Sequence, residues 1–226
     1  MKSVESQPYP FPLAGALSVE TTAFLFIDMQ GDFCRPGGFM DAQGLDVAAL
    51  ASGLGNAARL LAAARAGGFA VIHTREGYAA DLSDAPPNRL WKGRGDDQPA
   101  VGDAGPHGRY LIRGEPGWEI MPEVAPIVGE TVLDKPSYGT FVSTDIDRRL
   151  RAKGVANLVV CGVTSDCCVH QTVQEALDRG FDCLTVADAS AAGFAPVHER
   201  MMEQIGLKGG VFGAAASTDA VLAALR

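Results

Sequence analysis

The feature that most limits how this chain can fold is a series of six short apolar blocks with little polar alternation. AFLFID (23–28), FAVIH (69–73), TVLDK (131–135), NLVVCGV (157–163), DCLTVAD (182–188) and GGVF (209–212) read as buried strands. A strand with one wet face alternates apolar and polar residues, whereas a near-continuous run fits a parallel sheet covered on both faces. Helical patterns lie between the blocks. Residues 46–66 carry Ala and Leu at helical spacing and stop at Gly67-Gly68. Residues 144–153 begin after Ser143 and stop at Gly154, and 168–179 stop at Gly180. Two more span 197–205, behind Pro196, and 218–225, behind Ser217. Gly past the end and Pro or Ser at the start are the punctuation helices prefer. The expected fold is therefore α/β: a doubly wound, mainly parallel six-stranded sheet between helices, a Rossmann-like three-layer sandwich.

Two stretches fall outside the pattern. Residues 1–20, with YPFP at 9–12, read as an extended arm over a single domain at 21–226. Residues 77–129 contain both Trp residues and much of the Gly and Pro without any period, which suggests a lid or insert. A net charge of −8 and a pI near 4.9 argue against nucleic acid or an anionic membrane as partner. No uncharged apolar run approaches the ~18 residues of a membrane span, and MKSVESQPYPFPLAG lacks the apolar core of a signal peptide. The expected compartment is the cytoplasm. Five cysteines, an odd number in a chain of 226 residues, fit reduced thiols better than a disulfide framework. Cys161, Cys167 and His170 cluster without a pair of C-x2-C elements, so no structural zinc site is expected.

In a doubly wound sheet, ligands bind beyond the carboxyl ends of the strands. Asp28 closes the first block, His73 the second and Lys135 the third, and Cys161 to Cys168 follow the fourth. The segment after the first strand, DMQGDFCRPGG, matches neither the dinucleotide nor the phosphate-loop glycine pattern, so no nucleotide cofactor is expected. Asp28 and Lys135 leave buried strand ends, where the carboxylate must be paired. Cys168 sits between a strand and a helix, where the macrodipole and free N–H groups favour a thiolate. An acid, an ammonium and a thiol at one rim can serve as proton shuttle, orienting cation and nucleophile. Each also has an ordinary reading: a core cysteine, a turn-capping aspartate, a lysine reaching out to solvent.

Three ordered blocks carry a resemblance that decides between these readings. FLFIDMQGDF (24–33), VLDKPSYGTFVSTDI (132–146) and GVTSDCCVHQT (162–172) resemble the isochorismatase-like cysteine hydrolases over nearly the whole chain. The resemblance implies a catalytic triad of Asp28, Lys135 and Cys168, with Cys168 chosen over Cys167 by the Val and Thr that follow it. It implies a cis peptide between Val163 and Thr164, and an oxyanion hole from the N–H groups of Thr164 and Cys168. Gln30, Phe33, Phe141 and Lys208 are the candidate substrate contacts. After the second strand, HTREGYAADLSD offers only His73 where metal-dependent relatives carry an Asp-Trp-His-Pro-x-x-His stretch, so neither metal nor cofactor is expected.

The implied activity is cysteine-dependent hydrolysis of a C–N bond in a small linear amide or ureido compound. PYPFPLAG, RGEPGWEIMPE and GGVFGA look similar to biuret hydrolases and ureidoacrylate amidohydrolases, which release ammonia or carbamate. A nicotinamidase- or maleamate-type amidase is the alternative within the fold. A non-catalytic protein, or a redox protein using vicinal Cys167–Cys168, is the alternative outside it. The expected partners are a small-molecule substrate, water and further copies of the chain in a dimer or tetramer. Lys208 stands where similar sequences place Gln, so if it reaches the pocket the substrate should carry a negative charge.

Overall fold

The first strand, β1 (Thr22–Ile27), is buried along its whole length, and its alternate side chains feed two separate cores. Phe24 and Phe26 pack in one apolar cluster with Leu50, Leu54, Leu60 and Leu61. Ala23, Leu25 and Ile27 pack in another with Ile146, Leu150, Val173 and Ala176. A strand apolar on both sides demands helices on both sides, and the chain supplies them.

The structure, a computed structural model, describes residues 2–91 and 98–226. Two single-turn helices, α1 (Gly31–Cys34) and α2 (Phe39–Ala42), follow β1 and lead into α3 (Val47–Ala51), α4 (Leu54–Ala66) and β2 (Ala70–Glu76). The stretch before β5 (Thr131–Lys135) holds α5 (Pro87–Trp91) and a small antiparallel pair, β3 (Ala104–Gly105) and β4 (Gly108–Arg109). Next come α6 (Ile146–Ala152), β6 (Asn157–Val163), a π turn over Ser165–Val169 and α7 (His170–Leu177). β7 (Asp182–Ala191), α8 (Ala195–Gly210), β8 (Ala214–Ala216) and α9 (Thr218–Leu225) complete the chain. The main sheet runs in the order β5-β2-β1-β6-β7-β8, with every pairing parallel. The chain winds from β1 out through β2 to β5, then returns to pair β6 with the other side of β1. That reversal leaves the carboxyl ends of β1 and β6 side by side, the place where such sheets hold ligands. Gly162 permits the close approach: its φ is +137°, and a Cβ there would lie 2.1 Å from the Ile27 carbonyl oxygen.

Three elements differ from the sequence expectation. The sixth strand is Ala214–Ala216, not 209–212, because Lys208, Gly209 and Gly210 take φ of +52°, +77° and +94° and turn the chain at the end of α8. The second strand runs on to Glu76 because Thr74 and Glu76, though polar, are buried and hydrogen-bonded. The helix expected over 46–66 divides into α3 and α4 around Ser52, whose hydroxyl bonds back to the Ala49 carbonyl at 2.7 Å. Val47–Ala66 is long and apolar enough to cross a membrane, but Leu54, Ala57, Leu60, Leu61 and Ala64 are spent in the first core.

The N-terminal residues lie along β8. Gln7 bridges Ala215, Val4 and Phe11 pair with each other in full burial, and the Tyr9 hydroxyl donates to Asp182 at 2.8 Å. The irregular stretch at 77–129, of which 92–97 lie outside the described residues, contributes Tyr78, Arg89, Val101 and Leu111 to the main cavity.

Glu130, at the entry to β5, ties α4 to the sheet. Its carboxylate accepts from Arg65 Nε (2.7 Å) and Nη2 (2.8 Å), His73 Nε2 (3.0 Å) and the Ile127 amide (2.9 Å). Burial pushes this carboxyl up, but the donors outweigh it and bring its pKa from 4.5 down to about 2. A depressed carboxylate stabilises the fold above its unfolded pKa, and that contribution disappears as pH falls through its folded one. Glu130→Gln should therefore melt below the parent at neutral pH, with the gap narrowing from pH 4.5 towards about 2. Melting curves at a series of pH values check this, and a gap independent of pH would refute it.

Candidate active site

Asp28 lies just past the end of β1 with φ +50°, a left-handed backbone that Asp tolerates better than most residues. Its N–H donates to the Thr74 carbonyl at 3.2 Å and to Thr74 Oγ1 at 3.1 Å, which fixes it to β2. The side chain has no solvent exposure. Oδ1 accepts from Thr74 Oγ1 and Oδ2 from Lys135 Nζ, both at 2.6 Å.

Lys135 ends β5, two strands away, and its long side chain spans that gap. Its remaining ammonium protons go to the carbonyls of Ser137 (2.7 Å) and Tyr138 (2.8 Å), so all three donors are used. Burial alone would depress this ammonium. The acidic groups around it, the Asp28 carboxylate first and then Cys168 and Glu76, carry its pKa above the ordinary lysine value instead.

Cys168 sits in the π turn that leads into α7 and is 2% exposed. Its Sγ–H donates to Glu76 Oε2 at 3.5 Å. A hydrogen bond with the Cys167 side chain, burial, and the nearby Asp28 and Glu76 raise the thiol well above the usual cysteine range, against the pull of Lys135. The expectation that a helix start would favour the thiolate is thus reversed. The Cys167 hydrogen bond and burial, with the neighbouring Asp28 and Glu76, outweigh the Lys135 ammonium and drive the thiol upward.

Glu76 is the residue that sequence reasoning missed. The reactive atoms of Asp28, Glu76 and Cys168 all lie within 4.8 Å of one another, and all three side chains are buried. Burial raises the Glu76 carboxyl, with Lys135 opposing, and the Tyr78 hydroxyl donates to its Oε1 at 3.2 Å. The criterion that selected Asp28 and Lys135, a charged residue closing a strand, selects Glu76 as well once β2 is carried three residues past His73.

The other candidates fall in different places. Gln30 clamps the backbone around Glu76: Oε1 accepts from the Glu76 N–H at 2.7 Å, and Nε2 donates to the carbonyls of Glu76 (3.0 Å) and Trp118 (2.8 Å). With its amide committed, Gln30 positions the site and does not line the cavity. Phe33 does line it, as does Thr164, whose peptide bond to Val163 is cis. Phe141 is turned into the second core, its ring centroid 5.7 Å from that of Phe181. Lys208 lines a separate surface depression with Arg200 and Glu203, away from the residues around Cys168.

The cavity over Cys168 is about 300 Å³. Glu76, Thr164, Cys167 and Cys168 give it reactive and polar surface, and Phe33, Phe39, Met40, Leu45, Leu111 and Phe194 give it apolar walls. Asp28, Glu76 and Cys168 are close enough to share a cation. However, the Lys135 ammonium already sits 2.6 Å from Asp28 Oδ2, so the donor set fits an ion pair better than a metal. His73 is not in that cluster. Its Nε2 is engaged by Glu130 and its ring stacks on Phe26.

A nucleophile, two carboxyl groups and an ammonium, their side chains buried around one cavity, are suited to acyl transfer. Comparison with known proteins points to the same class. The family model described as the isochorismatase domain matches residues 22–217. Ureidoacrylate amidohydrolase RutB of Azorhizobium caulinodans is 31% identical over 185 residues, covering 80% of each chain. A cysteine hydrolase from Pseudomonas syringae pv. phaseolicola superposes with a TM-score of 0.77 at 27% identity, covering 94% of this chain and 95% of its own. An isochorismatase family protein from Desulfovibrio vulgaris gives 0.73 at 31% identity, covering 89% and 96%. With its sheet order, its strand-end residues and a match over most of its length in agreement, the chain belongs to the isochorismatase family of hydrolases.

Proposed function

We propose that this protein hydrolyses a C–N bond of a small ureido or linear amide through a thioester on Cys168. The observation that carries the reading is the buried Cys168 thiol at the wall of the cavity, with the Asp28 carboxylate within 4.8 Å and the Lys135 ammonium locked onto that carboxylate. The ureido preference is supported by the similarity to ureidoacrylate amidohydrolase RutB.

In this mechanism Sγ attacks the carbonyl carbon as its proton passes to the Asp28 carboxylate, and the carbonyl electron pair moves to oxygen. The N–H groups of Thr164 and Cys168 receive that oxyanion, donors of a kind worth roughly 3–4 kcal/mol each in the transition state. Collapse breaks the C–N bond, and Asp28 returns its proton to the leaving nitrogen, which departs as ammonia or a neutral amine. Water then adds to the thioester carbonyl, giving its proton to Asp28. The C–S bond breaks, the thiol is restored and the acid product leaves. Lys135 is the fixed counter-charge that lets Asp28 cycle between its two states inside a dry site. The apolar walls keep water from the thioester until the leaving group has gone.

Ammonia release measured over biuret, triuret, ureidoacrylate, nicotinamide and maleamate tests the reading, with mass spectrometry of acid-quenched enzyme to trap the acyl adduct. Turnover of a ureido compound with an adduct on the peptide containing Cys168 is the expected result. Ammonia release by a folded Cys168→Ala variant would refute the thioester, and a protein that releases no ammonia from any of these compounds but cycles a Cys167–Cys168 disulfide would replace it with redox chemistry. Activity should also be unchanged after exhaustive treatment with EDTA or phenanthroline, because Lys135 holds the place of a cation. A stoichiometric metal whose removal stops turnover would overturn that assignment.

A further inference from the structure

Two carboxyl groups lie beside the nucleophile, and the cycle above uses only Asp28. Both Asp28 oxygens are already engaged, Oδ1 by Thr74 Oγ1 and Oδ2 by Lys135 Nζ. The sulfur makes its carboxyl hydrogen bond instead with Glu76 Oε2, at 3.5 Å. Glu76 ends β2, lines the cavity and is buried. Gln30 fixes its backbone, accepting from the N–H at 2.7 Å and donating to the carbonyl at 3.0 Å. A carboxyl group bonded to the reacting atom is placed to move a proton onto it or off it.

The surroundings decide which. Burial above all, with the charge of Asp28, holds the Glu76 carboxyl towards its neutral form, against Lys135, Arg89 and the bond from Cys168. The Tyr78 hydroxyl, itself buried, donates to Oε1 at 3.2 Å. The oxygen left to carry the Glu76 proton is therefore Oε2, the one that faces Sγ. Paired carboxyl groups in unlike surroundings divide the duties of acid and base. Asp28, bound to an ammonium, suits the base, and a neutral Glu76 suits the acid. The sulfur needs such an acid. Its thiol is driven well above the usual cysteine range, so a bare thiolate is a poor leaving group here.

We propose that Glu76 is a second catalytic residue, the acid that protonates Sγ when the thioester is hydrolysed. This deepens the hydrolase reading and rests on it. After water has added and given its proton to Asp28, the carbonyl reforms and the C–S electron pair goes to sulfur. Glu76 Oε2 gives its proton to Sγ as that bond breaks, and the acid product leaves. The proton held by Asp28 then restores Glu76, the two groups lying within 4.8 Å, a gap that one water molecule can bridge. One water is consumed, and both carboxyl groups end as they began.

The test uses whichever of biuret, triuret, ureidoacrylate, nicotinamide and maleamate the parent turns over fastest. Single-turnover reactions are quenched in acid, and the adduct on Cys168 is followed by mass spectrometry as it forms and decays. Glu76→Gln keeps the shape of the side chain, an acceptor for Tyr78 and an N–H for Sγ, but has no proton to transfer. Its adduct should form within about threefold of the parent rate and decay about 100-fold more slowly, the scale of a lost general acid. In the steady state kcat and KM should fall together, leaving kcat/KM within about threefold, because kcat/KM reports only the steps up to acylation. Glu76→Asp, an acid one methylene short, should decay at an intermediate rate. An adduct that outlasts the parent's in neither variant, or acylation slowed as much as deacylation, would overturn the inference and leave the hydrolase reading standing. A parent that forms no adduct and releases no ammonia from any of the five compounds would end that reading, and the inference with it. Should Glu76→Gln not fold, as judged by circular dichroism, the ratio of the two rates in Glu76→Asp decides: slower decay alone supports the role, and equal slowing refutes it.

Discussion

Cys168→Ala should abolish turnover, lowering kcat by at least about 10⁴-fold, because no other group can form the acyl-enzyme once the nucleophile is gone. The variant should fold. Replacing Cys with Ala removes one heavy atom and two weak sulfur hydrogen bonds, to Glu76 and to the Cys167 side chain, and Ala is a good helix residue. Cys167→Ala should keep most of the activity. Cys167 also lines the cavity, but only Cys168 has its sulfur within 4.8 Å of both Asp28 and Glu76. Cys34, Cys161 and Cys183 are buried in apolar surroundings that push their thiols up, so they are inert by the same physics that hides them. Steady-state rates of the five single alanine variants, with melting curves to show that each is folded, check this. A Cys167→Ala protein as inactive as Cys168→Ala would move the nucleophile by one residue.

How far the sequence could reveal the site follows from how each residue declares itself. Asp28 and Lys135 are charges at the ends of apolar runs, and a charge that leaves a buried strand must find a partner. Here they found each other across 107 residues of sequence. Glu76 had the same origin but was hidden, because the polar letters of HTRE read as the end of a strand when they are its last, buried turn towards the cavity. Gln30 and Phe141 had the right types and neighbourhood, but their orientation depends on tertiary partners, Trp118 for one and Phe181 for the other, that no local pattern contains. The displaced sixth strand shows the limit of apolar content as a guide: Gly209 and Gly210 can join a strand or reverse the chain, and their positive φ decides for reversal.

The second large effect concerns the Asp28–Lys135 pair, in which both side chains are fully buried and 2.6 Å apart. Lys135→Met keeps the volume of the side chain but removes its charge, leaving the Asp28 carboxylate without a counter-ion in a dry interior. Breaking a buried pair from one side typically costs about 3–5 kcal/mol, far more than losing a surface bridge. The variant should therefore melt well below the parent. It should also be inactive, because an unpaired buried Asp28 takes up a proton and can no longer receive one from Cys168. Asp28→Asn should be equally inactive, and should leave the Lys135 ammonium without its carboxylate partner, held by the carbonyls of Ser137 and Tyr138. The double variant separates folding from catalysis. With both charges gone, the desolvation cost of each disappears, so Asp28→Asn/Lys135→Met should regain most of the stability lost by either single change. It should regain none of the activity. Denaturant unfolding of the four proteins gives the coupling, and ammonia release gives the rates. A double variant whose stability loss equals the sum of the single losses would show that the two charges do not depend on each other. A double variant that recovered turnover would show that the proton moves by another route, with Glu76, hydrogen-bonded to Cys168 from β2, the group to test next.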